Sequence, residues 1–231
     1  MIMNKKSIRF LKDSQLIVFL TFIVVIIVGC KKENNVNVMD SARHEYVDLG
    51  LPSGTLWATC NLGAENPEDF GDYYAWGEIT PKAVYSWSNY KYGTIVDSCI
   101  KLTKYCDSDG LNVLESVDDA ARANWGDNWR MPTKEEWNEL YLKTNCEWSS
   151  RNGVDGMLLT GYNGNSIFLP AAGYCIDSIC EGVGLGIYWT STHQTVFQES
   201  AWSFHFNYDY WHVCGTYERN RGNVIRAVRV L

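Results

Sequence analysis

Apolar and polar residues change their spacing several times along this chain, and each change marks an element. Leu16 to Val28 is apolar apart from Thr21 and follows a basic start of Lys5, Lys6, Arg9 and Lys12. The run is shorter than the roughly 18–20 apolar residues of a spanning helix and has the pattern of a secretory leader. Residues 31–43 (KKENNVNVMDSAR) show no period and few large apolar groups, so they read as a flexible tether. Glu45–Asn61 alternates around Pro52-Ser53-Gly54 and predicts a β-hairpin. Residues 62–93 mix Gly, Pro and Asn with aromatic side chains. They predict long loops pinned by Tyr73, Tyr74, Trp76, Tyr85 and Trp87.

Two helices are expected. One covers 116–124, with Ser116 as N-cap, Asp118 and Asp119 near its positive end and Gly126 as its stop. The other begins at Thr133, where Glu136 completes a capping box and Trp137, Leu140 and Tyr141 share a face. Strand patterns follow at Met157–Thr160, Ser166–Leu169, Ile187–Ser191, Ala201–Tyr210 and Val224–Val230. In the fourth, Trp202, Phe204, Phe206, Tyr208 and Tyr210 alternate with Ser203, His205, Asn207 and Asp209. This predicts an aromatic face turned inward and a polar face turned to water.

The end of the leader adds an address. Ile27-Val28-Gly29-Cys30 resembles the lipobox of bacterial lipoproteins. The resemblance implies a signal peptide over 1–29, acylation at Cys30, a lipid-anchored tether over 30–43 and a folded domain over 44–231. It also implies a place at the cell envelope, on the outer membrane, with either face open. Several acyl chains hold a protein firmly where one holds it marginally.

Composition narrows the partners. The formal net charge is −7, and the leader holds four basic residues against Asp13, so the remainder is more acidic still. That balance disfavours nucleic acid, which needs clustered positive charge. Ten Trp and fourteen Tyr supply both core material and binding anchors. Of eight Cys, Cys30 goes to the lipid. Cys175/Cys180 and Cys99/Cys106 are spaced as local disulfide pairs in an oxidising compartment, while Cys60 and Cys146 sit among apolar residues as buried thiols.

Five ordered motifs carry a further resemblance: VDLGLPSGTLWATCNLGA at 47–64, NWRMPTKEEWNEL at 128–140, NGNSIFLPAAGY at 163–174, YWTST at 188–192 and the closing VIRAVRVL. Together they resemble the Fibrobacter-type major paralogous domain, which is similar to formylglycine-generating enzymes and to the C-type-lectin-like fold. The resemblance implies a single α+β C-type-lectin-like domain with two helices and twisted antiparallel strands. It gives Arg130, Pro132, Thr133, Glu136 and Trp137 a structural role. It also brings in a property of some members of that fold class, a C-terminal segment rewritten by diversity-generating retroelements, here 192–223.

The chemical signals favour binding over catalysis. Formylglycine-generating enzymes use a late cysteine pair with copper; Cys175 and Cys180 precede YWTST instead, and no R-G-G-S motif follows, so a loop disulfide fits better. Asp107-Ser108-Asp109-Gly110 offers oxygen ligands for calcium but does not complete an EF-hand, because Leu111 stands where the next ligand pair would begin. No zinc-hydrolase, nucleophile-elbow or phosphate-loop spacing occurs. Between Thr192 and Asn223 the chain is dense in aromatic and hydrogen-bonding residues, a mixture suited to adaptable recognition. The expected site is His193, Gln198, His205, Asp209, Tyr210, Trp211, Tyr217 and Arg219, without cofactor or metal. It would bind a glycan or a protein at the cell surface, so the chain reads as an adhesin-like protein rather than an enzyme. A structural role in an envelope assembly is the alternative, and a thiol- or copper-dependent oxidase of the formylglycine-generating type is the less favoured rival.

Overall fold

The computed structural model describes residues 38–39 and 44–229, with 38, 39 and 211–214 described through their backbone alone. The leader, Cys30 and the tether apart from Val38–Met39 lie outside the described residues. The elements run β1 (Val38–Met39), β2 (Glu45–Asp48), β3 (Leu56–Asn61), β4 (Gly93–Val96), β5 (Cys99–Leu102), α1 (Ala120–Trp125), β6 (Trp129–Arg130) and α2 (Lys134–Lys143). Then come β7 (Thr144–Arg151), β8 (Val154–Gly161), β9 (Ser166–Pro170), β10 (Tyr174–Ile176) and β11 (Ile179–Glu181). The last are β12 (Gly186–His193), β13 (Ser200–Phe206), β14 (Trp211–Glu218) and β15 (Arg226–Arg229).

The expected α+β C-type-lectin-like domain is not what forms. Among the described residues the chain is mostly β, 42% strand against 12% helix, in several small antiparallel sheets. One sheet has the order β1-β2-β3-β15-β6; β7-β8-β9 and β12-β13-β14 are three-stranded; β4-β5 and β10-β11 are hairpins. The motifs behind the expectation each fix a local turn, cap or strand. They do not fix the number of sheets, and the unforeseen strands β4, β5, β7, β10, β11 and β14 shift the balance.

Local chemistry explains the elements that were foreseen. The hairpin at 45–61 forms as β2 and β3, with Val47 opposite Trp57. Within the segment read as tether, β1 pairs with β2 through Val38 opposite Tyr46. α2 starts as expected: Thr133 Oγ1 accepts from Glu136 N at 3.2 Å, and Thr133 N donates to Glu136 Oε2 at 2.8 Å. Arg130 closes the motif with Nη1 on Glu136 Oε2 at 2.6 Å and on the Met131 carbonyl at 3.2 Å. Pro132 presents its carbonyl to Ser191 N. The helix buries Trp137 and Leu140, with Tyr141 partly covered. α1 differs from its expected start, because Ser116–Asp118 forms a 3-10 turn and Asp119 caps the helix through Arg122 N at 3.1 Å. Gly126 ends it at φ 93.

Two aromatic-rich cores result. Trp137 stacks on Phe204 at 4.8 Å and meets Trp57 edge-on at 4.7 Å, with Tyr188 and Phe206 completing that cluster. The other core gathers Tyr74, Trp76, Tyr90, Tyr105, Trp129 and Trp189 and pins the long loop at 62–92. Trp76 donates its Nε1–H to the Thr190 carbonyl at 2.8 Å, and Tyr85 hydroxyl donates to the Tyr73 carbonyl at 2.6 Å. A buried arginine ties β15 across the molecule. Arg226 donates to Asn61 Oδ1, to the Ala58 and Thr59 carbonyls and, through Nη2, to the Phe168 carbonyl.

Cys175 and Cys180 form the disulfide that closes the β10–β11 hairpin. Cys99 and Cys106 are both free thiols, which corrects the expected second pair. Cys60 and Cys146 are partly buried, and burial pushes both thiols above their ordinary range.

Candidate functional site

The C-terminal segment divides into two places that sequence spacing had merged. The first is built on β13 and β14. Asn207 makes their turn: its Oδ1 accepts from Asp209 N at 2.8 Å and Tyr210 N at 2.9 Å. β13 ends at Phe206, so the expected inward aromatic face stops there. Phe204 and Phe206 are buried, but Tyr208 is 71% and Tyr210 47% exposed at the tip. Tyr208 rests edge-on against Trp148 at 6.1 Å. The opposite face is not simply wet either. Ser203 is fully buried, with its Oγ 2.7 Å from His205 Nε2 and donating to the Gly215 carbonyl at 3.3 Å. A Cβ on Gly215 would lie 2.3 Å from the His205 ring, so the glycine makes room for the imidazole to lie over β14.

From His205 an aromatic path continues. Its ring meets Tyr217 at 5.2 Å, and Tyr217 meets Tyr174 at 5.4 Å. Arg221 lies over both tyrosines, its Cζ 5.2 Å from the Tyr217 centroid and 5.8 Å from that of Tyr174. Carboxylates flank it: Arg221 Nε pairs with Glu218 at 3.0 Å, and the Tyr174 hydroxyl donates to Glu181 at 3.0 Å. Burial raises the Tyr217 phenol, and the bond to Glu181, then burial, raises that of Tyr174, so both stay neutral at physiological pH. Tyr174, Glu181 and Arg221 were missed in the sequence. What brings them here is the backbone pairing of Cys175 with Gly222, at 2.7 and 2.9 Å, on a hairpin that the disulfide closes.

The second place holds His193, Gln198 and Arg219. His193 is buried, with Nε2 3.4 Å from the Gln198 carbonyl; burial first, and the charge of Arg219 second, push its pKa down and keep the ring neutral. Gln198 Oε1 accepts from Asp107 N at 3.3 Å. Arg219 corrects its expected role as a surface group orienting a ligand beside Tyr210: it is 0% exposed. Asp209 is exposed in the hairpin turn, and Trp211 begins β14 opposite Phe206.

In the Asp107–Gly110 turn the Asp109 carboxylate is committed to nearby backbone. Asp109 accepts from Tyr105 N at 2.6 Å, Cys106 N at 3.2 Å and Leu111 N at 2.9 Å. Among the described residues no group of three or more His, Cys, Asp or Glu is placed to hold a metal. Comparison with protein-family models, with curated proteins and with solved structures finds no match, so the functional reading rests on this geometry alone.

Proposed function

We propose that this chain is an envelope lipoprotein, anchored through Cys30 at the outer membrane, that binds a glycan or protein ligand without catalysis. The observation that supports the reading most is the patch of Tyr174, His205, Tyr217 and Arg221, edged by Glu181 and Glu218. Planar aromatic faces beside planar charged groups suit both sugar rings and peptide surfaces: the faces supply apolar contact, and the flanking groups orient it. The rings pack on one another, so they lose little further freedom when a partner covers them.

The test uses the full chain purified in detergent against a glycan array and a panel of surface proteins, beside Tyr217→Ala and Arg221→Ala variants of unchanged melting temperature. Loss of an anchor of about 2 kcal/mol corresponds to roughly 30-fold weaker binding. A ligand whose affinity is the same for both variants places recognition elsewhere, and absence of any ligand removes the reading.

A further inference from the structure

We propose that the Cys175–Cys180 disulfide is a redox control on the aromatic patch: closed, it holds the patch in its binding form, and a dithiol that opens it weakens binding. The inference rests on the binding reading above. The disulfide joins facing residues of β10 and β11, and the next pair outward is Tyr174 and Glu181. Both belong to the patch. The Tyr174 hydroxyl donates to Glu181 at 3.0 Å, and its ring packs against Tyr217 and under Arg221. The bond thus sits one residue pair away from the contact that sets an acidic edge of the patch.

The two strands are held differently. β10 is fastened from outside the hairpin: Cys175 exchanges both backbone hydrogen bonds with Gly222, at 2.7 and 2.9 Å, and Asp177 in the turn does the same with Tyr85, at 2.7 and 2.9 Å. β11 is exposed along its whole length and, among the described residues, pairs with β10 alone. Beyond it the chain is fixed again at Gly184, whose N donates to the Ala171 carbonyl at 3.0 Å, and at Leu185, whose carbonyl accepts from Gly173 N at 2.7 Å. A ladder of two strands is marginal by itself in water, so the disulfide carries much of the order of β11. Opening it leaves Tyr174 in place on β10 and releases Glu181, one of the two carboxylates that edge the patch.

Access to the two sulfurs is unequal, since Cys175 is fully buried and Cys180 is exposed. A thiolate of the reductant attacks the Cys180 sulfur, forms a mixed disulfide there and expels the Cys175 sulfur, which takes up a proton. The reductant's second thiol then attacks its own bonded sulfur and frees Cys180 as a thiol. Two electrons and two protons pass from the dithiol to the protein, and a disulfide oxidant reverses the exchange.

The full chain in detergent is treated with dithiothreitol without denaturant, and its thiols are counted by alkylation and mass. Expected are two new thiols, at Cys175 and Cys180, with near-UV circular dichroism preserved. Amides of residues 179–181 should then lose protection from hydrogen exchange, while those of Cys175 and Asp177, bonded to Gly222 and Tyr85, keep theirs. The half-saturating concentration on the glycan array and the surface-protein panel should rise roughly tenfold, the worth of one hydrogen bond. A Cys180→Ser chain should bind as weakly without reductant and not respond to it; the dithiothreitol arm needs no variant. Absence of new thiols, unchanged exchange at 179–181 after reduction, or loss of the near-UV signal each overturns the proposal. Equal binding before and after reduction overturns it too, and leaves the binding reading standing. A chain that binds nothing in either state removes the binding reading, and the redox control with it.

Discussion

Four donors converge on the carboxylate of Asp118, and removing it gives the sharpest test of the packing around the long loop. The side chain is 2% exposed. Lys91 Nζ lies 3.0 Å from Oδ1, Lys104 Nζ 2.6 Å and the Tyr105 hydroxyl 2.7 Å from Oδ2, and the Tyr92 hydroxyl also donates to Oδ1. Burial pushes the carboxyl up, but the bonds from Lys104, Tyr92, Tyr105 and Lys91 outweigh it and hold the group at about 2, below its ordinary 3.8. By linkage that lowering is worth about 2.5 kcal/mol at neutral pH. Both lysines keep contact with solvent, which screens their share and leaves about 1–2 kcal/mol. In Asp118→Ala the buried hydroxyls of Tyr92 and Tyr105 also lose their acceptor, at about 1–3 kcal/mol for each stranded group. The expected total is about 3 kcal/mol or more, read by urea unfolding followed through tryptophan fluorescence. The sign in acid follows from the depressed pKa. The contribution is full above the unfolded value near 3.8 and is lost as pH falls through about 2, so the gap between native and variant chains narrows over that window. A variant within about 0.5 kcal/mol of the native chain, the usual range for a surface change, would refute the reasoning. So would a gap that stays constant down to pH 2.

Three further changes follow from the same structure. Trp137→Ala empties the space between Trp57, Tyr188 and Phe204 and should cost about 3–5 kcal/mol, measured as a fall in the urea midpoint at unchanged slope. Thr133→Ala removes the cap on Glu136 N and should cost about 1 kcal/mol, read by thermal melting, with near-UV circular dichroism preserved. Gly215→Ala should drive the His205 ring off β14 and cost about 1–3 kcal/mol. Its imidazole resonances should shift, and an undisturbed ring would show that the strand yields instead.

What could be read from the sequence was chemistry that acts within a few residues. Thr133 and Glu136 cap the same helix they mark, and the 45–61 alternation pairs with itself, so both were visible. β7 was not, because it follows α2 with no intervening residue and its alternation lasts only from Thr144 to Trp148; the eight residue pairs it makes with β8 carry the rest of the strand. The start of α1 moved to Asp119 because Asp118 is held by lysines and tyrosines from elsewhere in the chain. The same limit split the candidate site. Tyr217 and Arg219 are two residues apart on a strand pattern, but nothing local says that the second is wholly buried. Tyr174 and Arg221 meet only through the pairing of Cys175 with Gly222. The expected fold failed for the same reason, since motifs that specify turns do not specify how sheets divide.

The position of β15 has a consequence for how the chain is made. It lies inside its sheet, between β3 and β6, and Arg226 fastens it to Asn61 and to the Phe168 carbonyl. Residues near 60 therefore wait for partners more than 160 positions later. While a ribosome still holds residues 226–229, β3 has an open edge and the Asn61 region has no guanidinium to bind. Closure of that sheet is then a late, all-or-none event rather than a gradual accretion, and long-range pairing of this kind is slow. A chain of this design is exposed until its last strand is free, and an interruption just short of β15 leaves an unpaired strand edge open to aggregation.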